Sequence, residues 1–534
     1  MTPKSTEHAP MTHKQIMTVM FGLMTGLLLA ALDQSIVSTA LKTITVDLGG
    51  LNHYTWVVTA YLLTSTASTP LYGKISDLYG RRQVFQFAIV TFLIGSFAAG
   101  AAHNMTQLIG FRALQGLGAG GLMSLTFVII GDVVSPRERG RYQGYFGAVW
   151  GLATVAGPLL GGFFSDHNKV LGVTGWRWIF YINLPLGIIA LVITSAVLHI
   201  PKIQRKHKID YFGALLLVLA VSALLLGISV YAPEYGWLTV KTLSWIGGGV
   251  LLFALFLFNQ GKASEPILPL RLFKNHTFNI TSLLAFLVGA AMFGAIVMLP
   301  LYFQLVKHNS ATLSGLKLLP LMFGIISTSI TSGKWITKHG KYKIFPVAGM
   351  VLMTAALFGL VTISENIAYW KIGIFEAMLG AGLGFSLQNT VIALQNSLEV
   401  KDMAVGTSLN TFWRSIGGTL GVAIFGSIYA SKLTGFISHG VSSLTAKNPA
   451  ALVGATPQAL AQLRNNPALM AKFTPQLQAT VLHSYVQAFH IVFLSAAPVT
   501  GIGFLVALAL KEKPLKSGAE HAQAMKEAAG EALG

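Results

Sequence analysis

The chain has 534 residues, of which 53% are hydrophobic and only 10% charged. Soluble domains carry about a quarter charged residues, so a string of water-soluble domains is excluded. The formal net charge is +19 and there is no cysteine. The basic residues sit in short segments between apolar runs, with no aromatic-basic stretch for stacking bases, so the excess reads as membrane-loop charge rather than affinity for nucleic acid. Disulfides and thiolate metal sites are excluded outright.

The polar stretch Met1 to Lys14 precedes an apolar run too long for a cleaved signal peptide, so Ile16–Leu41 is expected to be a retained first helix. Runs of about twenty residues, each able to cross a bilayer core of roughly 30 Å, then recur along the chain. The first six predicted spans are Ile16–Leu41, Tyr54–Tyr72, Val84–Ala102, Leu108–Ile130, Tyr142–Phe164 and Trp178–Ile200. A middle pair follows at Tyr211–Tyr231 and Leu243–Phe258. The last six are Phe278–Tyr302, Leu313–Ser332, Ile344–Ile363, Ile372–Leu394, Val405–Ala430 and Val486–Leu510. Unpaired backbone is not tolerated in lipid and the runs do not alternate in polarity, so the expected form is an all-α integral membrane protein, not a β-barrel.

These spans set the expected organisation. A cytoplasmic N-terminus (1–15) leads into a six-helix bundle (16–200), two additional helices with their loops (201–277), a second six-helix bundle (278–510) and a cytoplasmic tail (511–534). Within the second bundle, residues 431–485 form a long external segment whose Ala-, Gln- and Leu-rich composition allows a solvated loop or an external helix. The tail is expected to form a short helix. With the N-terminus cytoplasmic, the inner segments hold 24 of the 37 Lys and Arg and the outer segments ten. That asymmetry places both termini in the cytoplasm and the chain in the cytoplasmic (inner) membrane as a multi-pass protein.

The two halves repeat. Gly73-Lys74-Ile75-Ser76-Asp77-Leu78-Tyr79-Gly80-Arg81 recurs as Gly333-Lys334-Trp335-Ile336-Thr337-Lys338-His339-Gly340-Lys341. Phe111-Arg112 to Gly118 recurs as Phe375-Glu376 to Gly382, Arg137-Glu138 as Lys401-Asp402, and Gly157 as Gly421. The matches fall in order at offsets of 260 to 264. Both copies of the loop lie on one side, so the repeat is parallel, as in secondary transporters with a midplane site between the halves.

Of 18 acidic residues only Asp33 and Glu376 fall well inside apolar segments. A charged, unpaired carboxylate there costs roughly 2.5–3.5 kcal/mol, so it faces a cavity or a partner. Two readings follow: proton coupling or recognition of a cationic substrate, or a fixed pair with Arg112 or Arg414 that holds helices together. Arg112 matches Glu376 in the other half and cannot give up its proton, so it either controls a neighbouring charge electrostatically or pairs helices. Arg414 has the same two readings and is a possible cavity residue, whereas Lys317 reads as snorkelling.

The loop bearing Gly73, Asp77, Gly80, Arg81 and Arg82 is expected to gate. Asp77 can cap the following turn, and Arg81 and Arg82 can reach acids at neighbouring helix ends, Asp132 foremost, in a cluster that forms in one state and breaks in the other. In the fifth span, Gly144, Gly147, Gly151, Gly157, Pro158, Gly161 and Gly162 strip one face of side chains and introduce a kink, for close packing or for gating. No Gly-Lys pair is followed by Ser or Thr, so there is no P-loop and no ATP-driven pump. The fourteen His show no metal-ligand spacing, and there is no Gly-x-Ser-x-Gly elbow. No enzymatic constellation, cofactor site or metal site is visible.

Gly73 to Arg82 resembles the signature loop of the major facilitator superfamily, and Leu108 to Gly120 with Arg112 resembles its helix-4 proton-transfer motif. The Gly-Pro fifth helix resembles the antiporter motif. Leu32 to Val37, Trp176 to Pro185 and Leu299 to Gln304 resemble the fourteen-helix drug:proton antiporters of the quaternary-ammonium efflux type. The resemblance implies the major facilitator fold with 14 transmembrane helices and proton-driven export of hydrophobic or cationic drugs or dyes by alternating access. It puts Asp33 at the family's helix-1 acid, with Arg112 and Glu376 tuning the cavity. Implied partners are amphipathic small molecules, protons and the lipid bilayer, without nucleic acid or ATP, in a unit that works as a monomer. Lys42, Ala153 and Thr337 depart from the pattern, and the last suggests that the charge latch works mainly in the N-terminal half. Alternatives are a dedicated metabolite exporter (siderophore, amino acid or antibiotic), an uptake symporter, and a non-transporting membrane sensor.

Overall fold

A computed structural model describes residues 13–48, 54–198, 210–447, 473–515, 520 and 523. Helices occupy every predicted span. They are α1 (His13–Asp47), α2 (Tyr54–Tyr79), α3 (Arg81–Gly100), α4 (Met105–Val133), α5 (Pro136–Asp166), α6 (Asn183–Val197), α7 (Tyr211–Leu226) and α8 (Val240–Gln260). The series continues with α9 (His276–Leu305), α10 (Leu319–His339), α11 (Ile344–Leu360), α12 (Tyr369–Ser397), α13 (Val400–Lys447) and α14 (Pro475–Leu508). Short turns precede α6 at Trp178–Tyr181 and α10 at Ala311–Leu316, and α7 runs on through a π-helical turn, Gly227–Tyr231.

Among the described residues, 12 helices are long and apolar enough to cross a membrane. The two remaining predicted spans, on α2 and α11, fall short of that measure. α11 has 17 residues. α2 is rich in Ser and Thr, whose hydroxyls are absorbed by the helix itself: Thr64 donates to the carbonyl of Ala60 at 3.0 Å and Thr69 to that of Ser65 at 2.8 Å.

Three details differ from the sequence reading. A two-stranded hairpin, β1 (Lys169–Val170) with β2 (Val173–Thr174), stands before α6, turning through Leu171 and Gly172 at positive φ. α13 continues to Lys447 instead of ending near Ala430, because no proline interrupts it and its extension packs Leu433 and Ile437 into the second half's core. α14 begins at Pro475, where Thr474 accepts from the Leu477 N–H and proline suits the first turn. The rest of the expected external segment, residues 448–472, lies outside the described residues, as do residues 1–12. The expected tail helix does too, apart from Glu520 and Gln523.

Helix pairing follows the repeat. α1 packs on α5, α2 on α4 and α3 on α4; in the second half α9 packs on α13, α10 on α12 and α11 on α12. Each half builds its own apolar core. The halves meet where α5 lies along α10 and α2 along α13, while α7 and α8 pair with each other and α7 leans on α2.

The glycines of α5 allow two of these contacts. A Cβ at Gly157 or Gly161 would sit 2.1 Å from Ser35 Oγ or 2.0 Å from Thr39 Oγ1, so these residues bring α1 against α5. Gly147 and Gly162 face Ser329 and Thr312 of the second half, and Pro158 rests on Gly315. This face is therefore packed both on α1 and on the second half. Gly421 lies on Ala290 of α9 as Gly157 lies on α1.

Candidate functional site

Asp33 on α1 and Arg112 on α4 are paired, Nη1 to Oδ2, at 2.5 Å, and both side chains are shut off from solvent. Gln115, one turn along α4 from Arg112, donates to Asp33 Oδ1 at 2.9 Å and accepts from Arg112 Nη1 at 2.7 Å. Asn183, at the start of α6, donates to the same carboxylate at 3.3 Å and to Ser96 Oγ at 3.0 Å, and Ser96 donates to the Phe180 carbonyl. The guanidinium lies 4.2 Å from the Tyr61 ring centroid. The network ties α1, α3, α4 and α6 around one ion pair, and its hydrogen bonds repay much of the desolvation of the two charges. Sequence reading missed Gln115, Asn183 and Ser96. The i+3 spacing of Gln115 from Arg112 was the available signal for the first.

Glu376 does not join Asp33. It is fully buried on α12 in the other half, and neither carboxylate oxygen has a hydrogen-bond partner among the described residues. Lys317, the cation predicted to snorkel, lies 5.2 Å from the Tyr369 ring centroid.

The Gly73–Arg82 loop holds two kinds of contact. Arg81 bonds Asp77 at 2.6 Å and Asp132 at 2.7 Å, tying the ends of α2, α3 and α4 within the first half. Gly80, at φ 92°, makes the turn between α2 and α3. Arg82 reaches the Ser195 carbonyl on α6 at 2.6 Å, not an acid as expected. Contacts across the halves come from residues the sequence reading left as loop charge. Lys74 pairs with Glu265 in the segment after α8, and Arg271 of that same segment pairs with Asp402 on α13 at 2.7 Å. Gly73 lets α2 approach α13, where an added Cβ would meet Ser408 Oγ at 2.6 Å. Gln395 on α12 donates to the Phe127 carbonyl on α4 at 3.0 Å. The loop end of the molecule is thus closed.

The second-half loop has Thr337 where the first has Asp77. Its acid comes instead from beyond α14: Glu512 accepts from the backbone N–H of Tyr342 at 2.7 Å and of Lys343 at 3.3 Å, at the start of α11.

Between the halves lies a cavity of about 430 Å³, whose walls include Gln34, Thr66 and Trp150 from the first half and Met322, Gln388 and Arg414 from the second. Asp33, Arg112 and Glu376 do not line it. Gln34 follows Asp33 on α1, and one residue of helix turns the side chain by about 100°, so Asp33 points into its own bundle while Gln34 faces the cavity.

The Major Facilitator Superfamily model matches residues 23–422. The chain belongs to the Major Facilitator Superfamily. Its sequence is 35% identical over 529 residues to the multidrug transporter protein MdtP of Bacillus subtilis, covering 96% of each chain. It is 37% identical over 495 residues to an uncharacterized MFS-type transporter of Mycobacterium tuberculosis, covering 92% of this chain and 69% of that one. The solved structure of the proton:xylose symporter XylE superposes with a TM-score of 0.58 at 14% identity, covering 96% of this chain and 99% of that one, which shows the fold. This Major Facilitator protein is a multi-pass membrane transporter.

Proposed function

We propose that this transporter is a proton-coupled antiporter that exports amphipathic drugs or dyes by alternating access, with the Asp33–Arg112 pair as its proton-coupling element. The observation carrying this reading is a fully buried carboxylate whose charge is matched by one arginine and whose helix also presents Gln34 to the central cavity. The names of relatives such as the Bacillus multidrug transporter agree with it.

Protonation of Asp33 removes half of the ion pair and leaves a guanidinium that stays charged. The site is then unbalanced by a whole charge in a low-dielectric interior, and relief requires movement of α1, α4 or α6. Movement of α1 displaces Gln34, so the proton site and the cavity communicate through a helix without sharing a wall. The positive-inside bias puts the closed loop end in the cytoplasm, and the opposite state opens there when Lys74–Glu265, Arg271–Asp402 and the Gly73–Ser408 approach separate. Glu376, with no hydrogen-bond partner among the described residues, is the candidate for a second proton per cycle. No nucleotide is required, and a single chain contains every part.

The test uses proteoliposomes with an imposed inside-acidic pH gradient and the protein in both orientations, with internal pH followed as organic ions are added outside. Substrate-evoked alkalinisation that Asp33→Asn abolishes is the expected result. Substrate movement at the wild-type rate with no proton flux, or an unchanged proton flux in Asp33→Asn, sinks the proposal.

A further inference from the structure

The residues around the central cavity include one formal charge among the described residues, and it is positive. Arg414 on α13 lines the cavity, its guanidinium 5.4 Å from the Phe127 ring centroid, with no carboxylate in ion-pair range among the described residues. The first half's buried arginine, Arg112, is already matched by Asp33, and neither Asp33 nor Glu376 reaches the cavity wall. Gln388 on α12 shares the wall; it is 3% exposed and its Oε1 is buried without a hydrogen-bond partner. The site therefore offers a planar fork of N–H donors, with the Gln388 amide oxygen as an unpartnered acceptor elsewhere on the wall, surrounded by Trp150, Met123, Met322 and Phe127.

We infer that this cavity takes an amphipathic organic anion, its carboxylate or sulfonate held by Arg414 and its aromatic body against the Trp, Met and Phe walls. The inference deepens the transporter reading and rests on it. A guanidinium matches the two oxygens of such a group and is held here without a counter-ion, so a bound anion removes an uncompensated charge. An organic cation meets the same guanidinium with no acid on the wall to offset the repulsion, which is the reverse of the cationic preference expected from the sequence. The volume, about 430 Å³, is that of a site for one drug-sized molecule.

Binding is measured on the full chain in lipid nanodiscs by fluorescence anisotropy, with pyrenesulfonate as the monovalent anion, ethidium as the monovalent cation and empty nanodiscs as the blank. Wild type is expected to bind pyrenesulfonate more tightly than ethidium. Arg414→Gln should weaken pyrenesulfonate by about tenfold or more while leaving ethidium unchanged or improved, and Arg414→Lys should keep part of the affinity. Melting temperatures show whether each variant folds; if Arg414→Gln does not, Arg414→Lys carries the test and is expected to weaken the anion alone. Tighter ethidium binding in wild type, or folded variants that bind pyrenesulfonate as wild type does, overturns the inference. Arg414-dependent anion binding without substrate-evoked proton flux in the vesicle assay upholds this site and defeats the antiport reading instead.

Discussion

Arg112 Nη1 meets Asp33 Oδ2 at 2.5 Å inside the first bundle, while the next residue of α1, Gln34, faces the cavity. A proton on Asp33 and a molecule in the cavity therefore do not compete for one carboxylate in this conformation. They bias the same helix from two sides, and coupling becomes a matter of which conformations α1 can share with each.

Asp33→Asn keeps the shape of the side chain and changes no residue of the cavity wall. Substrate binding in nanodiscs is expected to stay within about threefold of wild type, while proton-linked exchange falls to background. Asp33→Ala strands the buried guanidinium and is expected to cost about 3–5 kcal/mol, read as a lowered melting temperature. Loss of binding in Asp33→Asn with a wild-type melting temperature would place the acid in the substrate site and contradict the geometry.

Glu376→Gln removes a titratable group that has no hydrogen bond to lose. Folding is expected to be unchanged within about 0.5 kcal/mol, while the proton-to-substrate ratio, measured from the substrate gradient at which net flux reverses, drops. An unchanged reversal point would assign Glu376 no proton.

The Lys74–Glu265 pair is part-exposed, so its contribution is at most about 1 kcal/mol, equivalent to roughly a fivefold shift between conformations. Lys74→Glu is expected to open the loop end and Lys74→Glu with Glu265→Lys to close it again. The chain has no cysteine, so single cysteines placed on α2 and α13 can carry labels for a distance measurement without background. No change of distance in either variant removes the pair from the gate.

Much of this arrangement was legible in the sequence because the bilayer forbids alternatives. Apolar runs marked the helices, and the cost of intramembrane charge singled out Asp33, Glu376, Arg112 and Arg414. Their pairing was not legible: Asp33 and Arg112 are 79 residues apart, and the pattern offered Arg414 as an equal partner for either acid. Rotation about α1, which separates Asp33 from Gln34, needs the packing of Gly157 and Gly161 against it. Glu265 and Arg271 looked like loop charges because only the folded chain brings their segment between α2 and α13. α13 outran its predicted end because hydropathy reports where lipid stops, whereas a helix ends only where its backbone bonding does.

Close approach of α1 to α5 is tested at Gly161, where a Cβ would lie 2.0 Å from Thr39 Oγ1 and 2.8 Å from the Ile36 carbonyl. Gly161→Val is expected to cost about 1–3 kcal/mol and to slow exchange, because the backbone of α1 must give way. Gly426→Ala is the control, since nothing lies within 4 Å of its added Cβ. Equal melting temperatures for the two variants would mean that α1 and α5 are not held at this distance in the membrane.

Substrate charge determines how the membrane potential drives the cycle. If one proton enters as one organic anion leaves, two elementary charges cross per turnover. At about 2.3 kcal/mol per charge per 100 mV, that amounts to about 4.6 kcal/mol, or roughly three decades of concentration ratio. If the leaving molecule is a monovalent cation, the charges cancel and the potential contributes nothing. Potassium gradients with valinomycin set the potential in vesicles while pH is held equal on both sides. Pyrenesulfonate movement toward the positive side is expected to steepen sharply with potential, and Arg414→Gln to flatten the response by lowering occupancy. Wild-type pyrenesulfonate flux that ignores the potential would require two opposing charges unaccounted for by the arginine-lined cavity, and with it the anion would cease to be the transported species.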